Sequence, residues 1–203
     1  MAHDLCVPHL SYDDLRVAAA SFLKQHHPSG VIPVPIEEIV EIRLRLDVIP
    51  TPGLQKTFDV DAFIASDMES IFVDEFVYQS RRGRYRFSLA HEIAHAVLHQ
   101  KAFRNLSFDS IEGWKAAQER ISDEQYGWLE WQGYAFAGLI LVPESALRES
   151  FDSARSRAAA GGASISNASD AVRRMVAGAM ASEFDVSTEV VEKRITKDNL
   201  WPA

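Results

Sequence analysis

His91, Glu92 and His95 are the residues of this chain whose types and spacing promise chemistry. The two histidines are four positions apart, and on an α-helix such residues stack on one face about a turn apart. Two imidazoles so placed can converge on one metal ion about 2 Å from each nitrogen. Glu92, beside the first histidine, can then reach a water on that metal and take its proton. The flanking residues argue against a half-buried helix that merely carries these three side chains. Phe87, Leu89, Ala90, Ile93, Ala94, Ala96, Val97 and Leu98 make the segment apolar nearly all round, as a buried helix requires. Buried imidazoles and a buried carboxyl are costly unless something satisfies them, and a metal does so.

A catalytic zinc takes three protein ligands and leaves one position for water. His99 extends the row, but eight residues of helix separate it from His91 by about 12 Å along the axis, too far to share one ion. A metzincin site would need a glycine turn and a further histidine after His95, and neither follows at that spacing. His99 therefore reads as a helix-end residue or a support behind the ligands. The third ligand is expected to be a carboxylate from a later helix, with Asp123, Glu124 and Glu130 as candidates.

The elements that must position these groups can be read from periodicity and punctuation. Ser11 caps a helix whose inner side is Leu15, Ala18, Ala19, Phe22 and Leu23. Pro33 and Pro35 introduce a second helix over about 36–43, and a strand near Leu46–Ile49 closes at Pro50. Ala62–Ala65 and Ser70–Val73 predict an antiparallel hairpin leading into the histidine helix, with Ser88 as that helix's N-cap. The later strand is also placed to pair an extended substrate through its backbone. Arg81, Arg82 and Arg84 read as a solvated loop, the sharper reading being a site for substrate carboxylates or for acidic partners within the fold. Ser110–Glu119 predicts a helix, and Ser122 with Gln125 a capping box opening another that ends before Pro143. Residues 151–168, rich in Ala, Gly and Ser, read as a flexible loop between a domain over 1–150 and a helical unit over 169–203 that packs on it. In that unit Ser187 caps the last helix, with Val186 and Val191 as a hydrophobic staple.

Composition bounds the rest. A chain of 203 residues suits one well-cored domain, and 47% apolar with 25% charged residues is ordinary for a soluble protein. The net charge of −8 argues against nucleic acid as a direct partner. Cys6, the single cysteine, excludes an internal disulfide and suits a reducing cytosol. No secretory signal is recognisable, and the longest apolar run, Tyr134 to Val142, is too short to span a bilayer. A cytoplasmic protein without a membrane partner is expected.

Two stretches carry a family resemblance: Arg84-x-Arg86-Phe87-Ser88-Leu89-Ala90-His91-Glu92-x-x-His95-x-x-x-His99, and Glu130-Trp131-Gln132-Gly133-Tyr134-Ala135-Phe136-Ala137 followed by Leu141-Val142-Pro143. Together they resemble the ImmA/IrrE metallo-endopeptidases. The resemblance implies His91, His95 and Glu130 as ligands of one catalytic Zn2+ and Glu92 as general base. It implies an α+β, minimal gluzincin-like fold, several helices packed on a small, mainly antiparallel sheet, with a helical C-terminal part. It also implies proteolysis of a regulatory protein, a helix-turn-helix repressor, in stress response or mobile-element control. Gly133-Tyr134 departs from the family's Ala-Asn, which alters the side chain expected to orient a ligand histidine. Tyr134 lies one turn after Glu130 on the same face, so its hydroxyl is a candidate partner for a ligand or for the tetrahedral oxyanion. Two readings from other classes compete: a metal-binding but proteolytically silent sensor, and a DNA-binding regulator using the terminal helix-turn-helix-like unit. The acidic residues Glu183, Asp185, Glu189 and Glu192 weigh against the second.

Overall fold

The computed structural model describes residues 7–161 and 168–201. Cys6 and residues 162–167 of the expected loop lie outside the described residues. The chain begins with α1 (Tyr12–His26), α2 (Ile36–Glu38), continued by a π-helical turn (Ile39–Leu44), β1 (Asp47–Thr51), α3 (Leu54–Phe58), β2 (Ala62–Ile64) and β3 (Ser70–Asp74). It continues through α4 (Glu75–Ser80), α5 (Arg82–Leu98), α6 (Gln100–Arg104), α7 (Ile111–Gln118), α8 (Asp123–Leu141), α9 (Glu144–Ala160), α10 (Asp170–Phe184) and α11 (Thr188–Lys197). The architecture is α+β, with helices gathered on one small sheet.

Helices α5 and α8 are apolar nearly all round and bury against each other, as such helices must. α5 also lies on β2 and β3, while α1 covers the other side of α8, with Phe22 edge-on to Phe136 at 5.8 Å. The start of α1 is fixed by a reciprocal cap: Ser11 Oγ accepts from Asp14 N, and Asp14 accepts from Ser11 N.

The sheet order is β1-β3-β2. The expected hairpin is present, Phe63 facing Phe72 in antiparallel register. β1 joins the other edge of β3 in parallel, Val48 facing Ile71, so the sheet is mixed. β1 runs through Pro50 to Thr51, which an edge strand tolerates because its outer groups need no ladder partner. β3 is therefore central, with both edges engaged, and cannot pair a substrate as the sequence suggested. Free outer edges are left on β1 and β2, and β2 is the one packed beside α5.

Two local expectations are corrected. Ser88 is no cap, because α5 begins at Arg82 and Ser88 lies buried within it. Residues 151–160 are the second half of α9, not loop. Their alanines are strong helix formers, and Leu147, Ser150, Phe151 and Ala154 recur at helical spacing on a buried stripe. Asp74 ends β3, and its carboxylate accepts from Phe76 N and Val77 N and so caps α4.

The arginines at the start of α5 find carboxylates within the fold rather than solvent alone. Buried Arg86 donates to Glu37 at 2.7 Å, to the Val34 carbonyl at 2.7 Å and to the Asp185 carbonyl at 3.2 Å. It thereby ties the entry to α2 and the α10–α11 turn onto α5. Exposed Arg82 pairs with Asp185 at 2.7 Å, and Arg84 with Asp61. Buried Arg194 on α11 donates to the Gly138 and Val142 carbonyls, satisfying the end of α8, and to Asp198 at 2.7 Å. Ser187 has the extended backbone of an N-cap at α11, without a side-chain hydrogen bond.

Candidate metal centre

α5 presents His91 and His95 one turn apart toward α8, which supplies Glu130. The two Nε2 atoms are 3.0 Å apart, and Glu130 reaches His91 Nε2 at 3.4 Å and His95 Nε2 at 3.9 Å. One donor atom from each of the three lies within 4.8 Å of the others, a grouping that can hold a metal ion. Both histidines are buried, so without a cation at their centre the facing nitrogens and carboxylate would have little to compensate their desolvation. Of the three carboxylates open from the sequence, Glu130 joins this cluster; Asp123 and Glu124 lie in the exposed first turn of α8. His99 stands outside it, as helix length required. It caps the end of α5, with its Nδ1 3.0 Å from His95 Nδ1 and its Nε2 3.0 Å from Gln132 Oε1.

Glu92 is buried beside the cluster, where Ile64 N donates to its Oε2 at 2.8 Å. Burial, with the charge of Glu130, pushes its carboxyl up to about 8, against the opposing pull of His91 and the Ile64 hydrogen bond. Burial holds His95 well below the ordinary histidine value, helped by the charges of His91 and His99. Burial acts the same way on His91, but the Glu130 hydrogen bond and the charges of Glu92 and Glu130 outweigh it, so its pKa is raised.

The Gly133-Tyr134 departure has a steric explanation. A Cβ on Gly133 would meet His91 Cε1 at 2.6 Å, so only glycine lets α8 approach the ring this closely. The Tyr134 ring covers His91 with centroids 4.6 Å apart, while His91 Nδ1 is buried without a hydrogen-bond partner among the described residues. Packing, not a side-chain amide, holds this histidine. Tyr134 is 56% exposed, and its hydroxyl bonds no ligand residue.

The donors open into a cleft of about 470 Å³ walled by the β2 segment, Trp114, Gln118, Tyr126 and Tyr134. A larger groove of about 1090 Å³ adjoins it across Arg84, Phe87 and Tyr134 but contains none of the donors, so the chemistry belongs to the smaller cleft. β2 turns a usable edge to this cleft. Asp61 O and Ala65 N bond β3, so by alternation the backbone groups of Ala62 and Ile64 point away from it. Sequence reasoning missed Gln132 and Tyr126. Gln132 was detectable as the one polar residue on the inner stripe Leu129, Gln132, Phe136 and Ile140; Tyr126, one turn before Glu130, shares its face.

A buried H-E-x-x-H helix, a carboxylate on a facing helix and a sheet edge beside them define a zincin-like α+β domain. The chain belongs to the Peptidase M78 family: the model of the IrrE N-terminal-like domain matches residues 45–196. The ImmA/IrrE resemblance is thereby borne out. No curated protein matches the chain. Among solved structures it is similar to a Mycobacterium tuberculosis transcriptional regulator, with a TM-score of 0.53 and 17% identity over 90% of this chain. That likeness shows the fold alone, and the chain spans only 46% of the regulator's length. Among the described residues no helix is long and apolar enough to cross a membrane.

Proposed function

We propose that this chain is a zinc-dependent endopeptidase that hydrolyses a peptide bond in a regulatory protein, with a helix-turn-helix repressor as the expected substrate. The observation that carries the reading is the position of Glu92: a buried carboxyl beside three converging metal donors, tied by Ile64 N to the strand edge that lines the cleft. A silent sensor would need the donors but not this carboxyl. His91, His95 and Glu130 would hold the ion, and a two-histidine, one-glutamate set suits zinc with one position left for water. Bound there, zinc would supply Lewis acidity and a water of lowered pKa.

The chain's own residues do the rest. The free edge of β2 binds the substrate backbone in extended form, through the outward groups of Ala62 and the carbonyl of Ile64, whose N–H is held by Glu92. Glu92 accepts the proton of the attacking water and returns it to the leaving amine. In this reading the Tyr134 hydroxyl, on a residue that lines the cleft, donates to the oxygen that gains charge. The family supports the peptidase reading, and a regulatory substrate in a cytoplasmic setting is the rest of the proposal. Incubating the zinc-loaded chain with a repressor encoded beside it, and weighing the products, tests this. Two fragments whose masses sum to the substrate plus one water support it, and an intact repressor contradicts it.

A further inference from the structure

The contacts behind His95 fix its hydrogen atoms one by one. The carbonyl oxygen of Pro8 can only accept, so the Gln132 group 2.7 Å from it is the Nε2 amide donor. The other arm of that side chain, Oε1, also only accepts, and it lies 3.0 Å from His99 Nε2. That nitrogen must carry hydrogen. A neutral imidazole has one N–H, so His99 Nδ1 is bare. It faces His95 Nδ1 at 3.0 Å, and two bare nitrogens would repel, so the hydrogen between them is on His95. His95 Nε2 is then the bare nitrogen, and it is the atom turned toward His91 and Glu130.

We propose that Gln132 and His99 are positioning residues which lock His95 in the one neutral tautomer able to bind a metal through Nε2, with the Pro8 carbonyl as their fixed end. His95, His99 and Gln132 are buried, so no water competes for the bonds among them, and His99, whose two ring nitrogens face only Gln132 and His95, has no carboxylate there to balance a second proton. The Pro8 carbonyl is itself held. Val7 N donates to Gln125 Oε1 at 2.7 Å, and His9 packs edge-on against Trp128 at 4.4 Å. The segment before α1 is thus clamped to α8 over two turns, by contacts on either side of Pro8. Orientation that the family's asparagine would give at position 134 is supplied here to the other histidine, from two residues earlier and through His99. This inference rests on reading His91, His95 and Glu130 as metal donors and needs no peptidase activity.

The test is a two-bond proton–nitrogen correlation spectrum of the metal-free protein carrying nitrogen-15 histidine, paired with zinc affinity by chelator competition. The wild type is expected to show His95 protonated on Nδ1 and His99 on Nε2. Gln132→Met, which keeps the length but removes the acceptor, should release both tautomers and weaken zinc binding roughly 10- to 100-fold. His99→Phe should weaken it similarly, and the double variant no further, since both act in one chain. His95 protonated on Nε2 in the wild type overturns the proposal, and that spectrum decides even if a variant fails to fold. So does Gln132→Met that binds zinc at wild-type affinity, or that loses affinity with the His95 tautomer unchanged. A chain that binds zinc this way but cleaves nothing refutes the peptidase reading alone.

Discussion

Replacing Gly133 by alanine separates metal binding from stability. The new Cβ would stand 2.6 Å from His91 Cε1, 3.0 Å from Nδ1 and 3.1 Å from Nε2. Carbon atoms in good contact keep about 3.5 Å or more, so the ring must retreat by about 1 Å. Metal–ligand distances tolerate about 0.2 Å, so the displaced ring cannot hold its place in the site. Overpacking of this kind costs about 1–3 kcal/mol, which lowers zinc affinity roughly 5- to 150-fold. Without metal the ring can swing into the adjoining cleft of about 470 Å³. Exchange of glycine for alanine inside a helix then gains about 0.5–1 kcal/mol, so the metal-free protein should melt no lower than the wild type. Gly127, in the same helix with nothing within 4 Å of its would-be Cβ, is the control: Gly127→Ala should raise stability and leave affinity unchanged. Chelator-competition titrations and thermal melts of the metal-free proteins read both quantities. Gly133→Ala with wild-type zinc affinity would refute the claim that α8 holds His91 by close approach.

Other expectations follow from the same contacts. Arg86→Met should destabilise the fold by about 1–3 kcal/mol, because it leaves the buried Val34 carbonyl without its donor and half-buried Glu37 without its nearest cation, while Arg82→Ala at an exposed pair should cost less than about 1 kcal/mol; denaturant midpoints that rank the other way would contradict this. Zinc affinity should fall on acidification beginning above the ordinary histidine value of 6.5, since His91, whose pKa is raised, holds a competing proton to higher pH; a titration flat from about pH 8 to about pH 6 excludes it. Tyr134→Phe should keep zinc, because the ring and not the hydroxyl packs on His91, yet lower kcat by roughly 10²- to 10³-fold; unchanged turnover removes the hydroxyl from the mechanism.

The residues that lie in regular helices were legible from the sequence, because helix geometry alone relates them. His91 to His95, the exclusion of His99 from the donors, and Tyr134 one turn after Glu130 all follow from the rise and twist of a helix. Ser11 and Ser122 marked real helix starts, since capping is a local exchange of hydrogen bonds. What failed depended on distant partners. α5 extends back to Arg82, where its arginines find Glu37, Asp61 and Asp185, residues that no local pattern connects to them. The alanine run ending α9 was read by composition as a linker, although alanine is the strongest helix former and a buried stripe ran through Phe151 and Ala154. Strand order likewise has no local signature, so β3, which the sequence offered as the substrate edge, is central, and a free edge is found on β2 instead. Gly133 looked like a defect in a motif, and only the position of the His91 ring gives it a reason.

The central claim is that Glu92 moves the proton in a hydrolysis performed over His91, His95 and Glu130. Glu92→Gln tests it most directly, because the amide oxygen can still accept from Ile64 N while the proton carrier is gone. Bound zinc and repressor cleavage would be measured on the same samples of wild type and variant. The account predicts one zinc per chain in both, with cleavage slowed at least about 10²- to 10⁴-fold in the variant. Cleavage by Glu92→Gln at the wild-type rate would contradict it.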